Sequence, residues 1–122
     1  MADQFDTHTV KALRDAQEVG IRTEAHPDKA IPIWVVVSGT DVFVRSVRGP
    51  KGRWYKDLAS GGMARLDLDG RQIDVRVTPA NDHDSVQRAS KEYMTKYRTS
   101  PYAASITRDE VLATTLRLQP TG

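Results

Sequence analysis

Val42-Phe-Val-Arg-Ser-Val-Arg-Gly-Pro-Lys-Gly-Arg-Trp-Tyr-Lys-Asp-Leu-Ala-Ser60 joins a strand, a basic glycine-containing loop and an aromatic helix start in one run. Residues 42–47 are rich in β-branched and aromatic side chains, as a pleated half-buried surface requires. Gly49-Pro50 stops the strand, because proline has no N–H to give a ladder. Between Arg45 and Lys56 stand Arg45, Arg48, Lys51, Arg53 and Lys56 with no acid among them. This local positive field, with backbone N–H groups bared at Gly49 and Gly52, suits an anion such as phosphate. Trp54 and Tyr55 follow with flat faces on which a ring can stack. A second reading stays open, in which the basic turn is solvated and the aromatics anchor a short helix in the core. Arg45 and Arg48 are three apart and face opposite sides of a regular strand, so both reach one anion only if the strand twists or bulges.

Upstream of that run, Ile31-Pro-Ile-Trp-Val-Val-Val37 is nearly continuous in apolar residues, which predicts a strand buried on both faces and central in its sheet, with Pro32 at its beginning. Ser38-Gly-Thr-Asp41 is a hairpin turn that pairs it antiparallel with 42–47. Further upstream, 21–25 reads as a first strand and His26-Pro-Asp-Lys29 as a turn. Asp6 or Thr7 caps a helix running to about residue 19, with Val10, Leu13 and Ala16 on one face and Gly20 as its stop.

Downstream, Trp54 begins a short helix over 54–59, and Ser60-Gly-Gly62 releases the chain. Ala64, Leu66 and Leu68 alternate with Arg65, Asp67 and Asp69, then Ile73, Val75 and Val77 alternate with Gln72, Asp74 and Arg76 across an Asp69-Gly70 turn. That is a hairpin with one wet face. Asp74 and Arg76 share the wet face and read as a surface ion pair. Asn81-Asp-His-Asp84 opens the main helix, in which Val86, Ala89, Tyr93 and Tyr97 recur at core spacing as far as Arg98. A short helix over 107–112 and a final strand over 114–118 complete the chain. The pattern predicts a mainly β (α+β) fold, a six-stranded antiparallel barrel with flanking helices, because an open sheet leaves its edges unprotected.

The chain of 122 residues, 39% hydrophobic, is read as one domain over residues 1–122. A net charge of +2 concentrated in one loop argues against extended nucleic-acid binding. There is no cysteine, hence no thiol nucleophile and no cysteine-based metal site, and a cytoplasmic location is expected. The acidic start and the lack of an apolar run of about 18 residues argue against export and a membrane span. His8, His26 and His83 lack partners at metal-ligand spacing, so no metal site is assigned. No nucleophile elbow or P-loop spacing is present, and no catalytic side chain is assigned.

Trp54-Tyr55-Lys56-Asp57-Leu58 resembles the WYxNL-type segment of deazaflavin-dependent nitroreductase-like proteins, within the flavin-binding split-barrel fold. Asp57 stands where that pattern has asparagine. The succession of Ile33-Trp34-Val35-Val36, Phe43-Val-Arg-Ser-Val-Arg-Gly-Pro50, the Trp54-Tyr55 pair and Thr115-Leu-Arg-Leu-Gln-Pro120 is similar to an uncharacterised bacterial group, domain-of-unknown-function family 2255. The likeness runs from about Ile21 to Pro120. It implies a six-stranded split barrel that holds FMN or a deazaflavin and performs a two-electron reduction, commonly as a homodimer. Carried onto matching positions, it implies that Arg45, Ser46, Arg48, Gly49 and Lys51 hold the cofactor phosphate and that Trp54 and Tyr55 lie along it. Two other functions remain open on the residues: a cofactor-free module for a small anionic metabolite, and a partner-binding domain with Trp34 and Trp54 buried.

Overall fold

The structure is a computed structural model that describes residues 4–121. Met1 to Asp3, within the acidic start, and Gly122 lie outside the described residues. Helix α1 spans Thr7–Asp15 and starts where Asp6 accepts a hydrogen bond from the Thr9 N–H at 2.7 Å. It buries Val10 and Leu13. The helix ends sooner than the sequence suggested, and Gly20, expected as its stop, lies inside β1 (Val19–Thr23). There a Cβ would sit 3.0 Å from that of Ala30, so close strand packing explains the glycine.

Seven strands form among the described residues, where six were expected. After β1 come β2 (His26–Ile33), β3 (Val35–Ser38), β4 (Asp41–Val44), β5 (Gly62–Leu68), β6 (Arg71–Pro79) and β7 (Leu116–Pro120). They pair antiparallel in the order β2-β1-β5-β6-β7-β4-β3. Two corrections apply to the first strands, of which the second adds a strand. His26-Pro-Asp-Lys29 belongs to β2, with Glu24 and Ala25 turning the chain between the paired Thr23 and His26. The run 31–37 breaks at Trp34 into β2 and β3, which occupy the two ends of the sheet order. Because these end strands are consecutive in the chain, the sheet must curl until its edges meet around Trp34. The run is therefore peripheral in pairing, contrary to the central place expected for it.

Burial on both faces nevertheless holds for β3. Val35 and Val37 join the barrel interior with Val42, Val44, Leu66, Val75 and Leu118, while Val36 and Phe43 face outward into a second core with Ala89, Tyr93, Tyr97 and Ile106. A helix covers the outer face, as helices do on the faces of a parallel sheet. This is α3 (His83–Lys96), capped where Asp82 accepts from the Ser85 N–H at 3.0 Å. It fastens the bend from outside. The Tyr97 ring stacks on Trp34 with centroids 3.9 Å apart, and the Tyr93 hydroxyl donates to the Trp34 carbonyl. Lys96 Nζ donates to the carbonyls of Leu13 and Val35.

The β3–β4 and β5–β6 hairpins form as their sequences predict. Ser38 pairs with Asp41 across a turn with Gly39 at φ 63°, and Asp69 and Gly70 take φ 50° and 77°. Val75 and Val77 are buried and Ile73 partly so. Asp74 pairs with Arg65 directly opposite on β5 at 2.8 Å, where a pairing with Arg76 was expected. Cross-strand neighbours are closer than same-strand ones on one face. The expected helix over 107–112 resolves into a 3-10 turn over Ala103–Thr107 and α4 (Asp109–Leu112).

Candidate functional site

Strand β4 ends at Val44, and Arg45 and Ser46 leave the ladder still buried, at 2% and 1% exposure. The Arg45 guanidinium donates through Nε to Thr115 Oγ1 at 2.8 Å, through one terminal nitrogen to the Ile106 carbonyl at 3.2 Å, and through the other to the Val86 carbonyl at 2.8 Å. It lies 5.5 Å from the centroid of the Tyr93 ring. No carboxylate of the described residues forms an ion pair with it, and burial pulls its pKa down. A cation in this setting is held by neutral acceptors and a ring face alone.

The loop that follows folds onto itself. Ser46 Oγ donates to the Gly49 carbonyl at 2.8 Å, and the N–H groups of Gly49 and Gly52 donate to the carbonyls of Ser46 and Gly49. Those amides, expected to face an anion, instead close the turn that becomes a 3-10 segment over Gly49–Lys51. Gly52 lets the chain pass tightly, because a Cβ there would lie 2.2 Å from Ser46 Oγ. Helix α2 (Arg53–Leu58) starts one residue before the expected 54–59. It buries Trp54 and leaves Tyr55 half-buried, edge-on to Trp54 at 6.3 Å. Arg48, Lys51 and Arg53 are exposed.

Beside the Trp34 bend opens a cavity of about 450 Å³, within the range of small-molecule sites. Of the residues nominated from sequence, Arg45, Ser46, Arg48 and Trp54 line it, whereas Gly49, Lys51 and Tyr55 do not. Sequence reasoning missed Glu18, Trp34, Arg53, Tyr102 and Ser105, which also line it. The tryptophan interrupting an otherwise aliphatic run was a usable signal for Trp34, and the basic run was one for Arg53. Nothing local marks the others, because they meet the loop only through the curl of the sheet. The wall carries the cations Arg45, Arg48 and Arg53 against one carboxylate, Glu18.

Asp57 takes no part in this wall. It accepts from Thr23 Oγ1 at 2.7 Å and lies 2.8 Å from His26 Nδ1, tying α2 to the β1–β2 hairpin. The threonine bond is the main cause of its lowered pKa, with the histidine contact adding to it. A second, shallower cleft of about 300 Å³ lies among Arg22, Arg65 and Asp74. Its cations are matched, Arg22 by Asp67 and Arg65 by Asp74. Among the described residues no group of three or more histidine, aspartate or glutamate side chains is placed to hold a metal ion. No described helix is long and apolar enough to cross a membrane.

Fold and cavity define a class: a small curled antiparallel β-barrel with flanking helices, opened at one seam by a cationic, aromatic-walled cavity. The chain belongs to the family described as an uncharacterized protein conserved in bacteria (DUF2255), whose model matches residues 9–118. No curated protein matches it.

Proposed function

We propose that the seam cavity binds a small planar molecule bearing an anionic group, and that its occupant is FMN or a deazaflavin used in a two-electron reduction. The observation that carries this reading is Arg45, a buried cation in the wall of a ligand-sized cavity with no carboxylate partner among the described residues. An anion in the cavity gains from that uncompensated field, because charges interact strongly where water is excluded. Arg48 and Arg53 supply exposed N–H donors for a phosphate, and Trp34 and Trp54 supply aromatic walls. The charge and the aromatic surface fit the cofactor.

When bound, the cofactor supplies hydride chemistry, and the protein orients and shields it. On this reading Arg48 and Arg53 hold the phosphate, Trp34 and Trp54 position the ring, and Tyr102 and Ser105 limit the access of water. No described side chain is required as a nucleophile. The internal use of the Gly49 and Gly52 amides favours a second reading, a cofactor-free module for a smaller anionic metabolite, since the backbone phosphate cradle is missing.

A visible spectrum of purified protein and titration with FMN and a deazaflavin separate the two. The cofactor reading expects saturable binding of at least one. A charge-assisted hydrogen bond is worth about 1.5 to 3 kcal/mol, so Arg48→Ala or Arg53→Ala weakens binding by roughly tenfold to a hundredfold. Absence of binding by wild type at millimolar cofactor removes the oxidoreductase reading and leaves the metabolite module.

A further inference from the structure

We infer that Glu18 is a specificity-determining residue of the seam cavity, accepting a hydrogen bond from an N–H edge of the ligand's ring while the anionic group is held at Arg48 and Arg53. The inference rests on the cofactor reading above, with FMN as its test ligand. Val19 pairs with Ile33, so one step beyond the register Glu18 stands opposite Trp34 on the β1 side. Val35 pairs with Val44, so one step beyond that register Arg45 stands opposite Trp34 on the β4 side. The seam is therefore flanked by a carboxylate on one side and by the basic segment on the other. All of these residues line the same cavity.

Glu18 stands apart from its acidic neighbour in the chain. Asp15 is engaged by Lys11 at 2.7 Å, whereas Glu18 forms no ion pair with another described residue. Its carboxylate is the acid of the cavity wall, and its charge reaches Tyr97 beneath Trp34, where it adds to the burial that raises the phenol. An ionised carboxylate only accepts hydrogen bonds, so it selects for a donor and against a second anion. A cavity with a carboxylate on one flank and guanidinium groups on the other selects a dipolar ligand. The imide N3–H of an isoalloxazine or deazaflavin ring is such a donor, set away from the phosphorylated side chain.

The test compares FMN with N3-methyl-FMN on wild type and Glu18→Ala, with binding followed by fluorescence. Glu18 is exposed at the end of a loop, so the variant is expected to fold. Losing a hydrogen bond to a charged acceptor should weaken wild-type binding of the methylated analogue by about tenfold or more. In Glu18→Ala the two ligands should bind within about twofold of each other, both near the weaker value. Equal binding of the two ligands by wild type overturns the role of Glu18 while the cofactor reading stands. A methylation penalty that persists in Glu18→Ala overturns it as well, since the penalty then arises elsewhere. Failure of wild type to bind FMN overturns the inference, and the cofactor reading falls with it only if a deazaflavin also fails to bind.

Discussion

Arg45 keeps three acceptors occupied at once, and those acceptors come from α3, the 3-10 turn before α4 and the entry to β7. Replacing it by methionine keeps most of the volume but leaves the Val86 and Ile106 carbonyls and Thr115 Oγ1 without their donor. The expected loss is about 3 kcal/mol, partly offset by the relief of burying a charge. Arg48→Met, at an exposed position, should stay within about 0.5 kcal/mol. Urea denaturation of both variants measures the contrast, and equal stabilities would show that Arg45 is not a tie. The sequence displays the basic run plainly, but not which cation is buried, since residues 86, 106 and 115 meet it only after folding. Lys96 provides a pH-dependent counterpart. Burial lowers its ammonium to about 8, below the ordinary lysine value of about 10.5 that it takes in the unfolded chain. Below pH 8 both states hold the proton and the full cost of burying the charge is present. Between about 8 and 10.5 the unfolded state holds more protons, so this contribution to stability rises with pH. The Tm of wild type relative to Lys96→Met should therefore increase from pH 8 toward 10.5. Tyr97, pushed up to about 12 mainly by burial, acts oppositely above the ordinary tyrosine value of about 10 but is present in both proteins. A flat difference would rule out Lys96 as the source.

Among the elements, the loop between β4 and α2 depends on a glycine with an ordinary φ of −58°. Its constraint is space: an added Cβ would drive Ser46 Oγ from its bond to the Gly49 carbonyl. Gly52→Ala should cost about 1 kcal/mol, near the worth of one buried hydrogen bond. Ser46→Ala loses the same bond, so the double variant should be less destabilised than the sum of the singles. Additivity in thermal denaturation would refute this coupling. Asp82→Ala should lower stability by about 1 kcal/mol through the lost cap of α3. Elements set by their own residues were legible: the β5–β6 alternation around Asp69-Gly70, the start of α3 at Asn81-Asp-His-Asp84, and its core face at Ala89, Tyr93 and Tyr97. The break at Trp34 was not, because its cause is the Tyr97 ring and the Tyr93 hydroxyl, both far along the chain. Gly20 misled for a similar reason. A glycine after an amphipathic run signals a helix stop, yet here its lack of a side chain serves the approach of β2.

At the scale of the molecule, a small antiparallel barrel with outer helices was readable from alternation, while the cavity was not, since its wall draws on segments around residues 18, 34, 45, 54 and 102. Its rim carries Val47 at 49% exposure and Tyr102 at 68%, large apolar surfaces beside a ligand-sized opening. A two-fold dimer that shelters them is the expected assembly, and light scattering at micromolar concentration should report twice 13.6 kDa. A monomer mass would remove the dimer and leave the mouth open to solvent. The order of the strands bears on how the protein emerges from the ribosome. Strand β7 lies between β6 and β4, pairing Val77 and Val42 with Leu118. Until it is synthesised, β2-β1-β5-β6 and β4-β3 are two unjoined fragments, each with an unpaired edge. The sheet cannot be joined between β6 and β4 until β7 has emerged, so the nascent chain passes through a stage in which chaperone binding or self-association competes with folding.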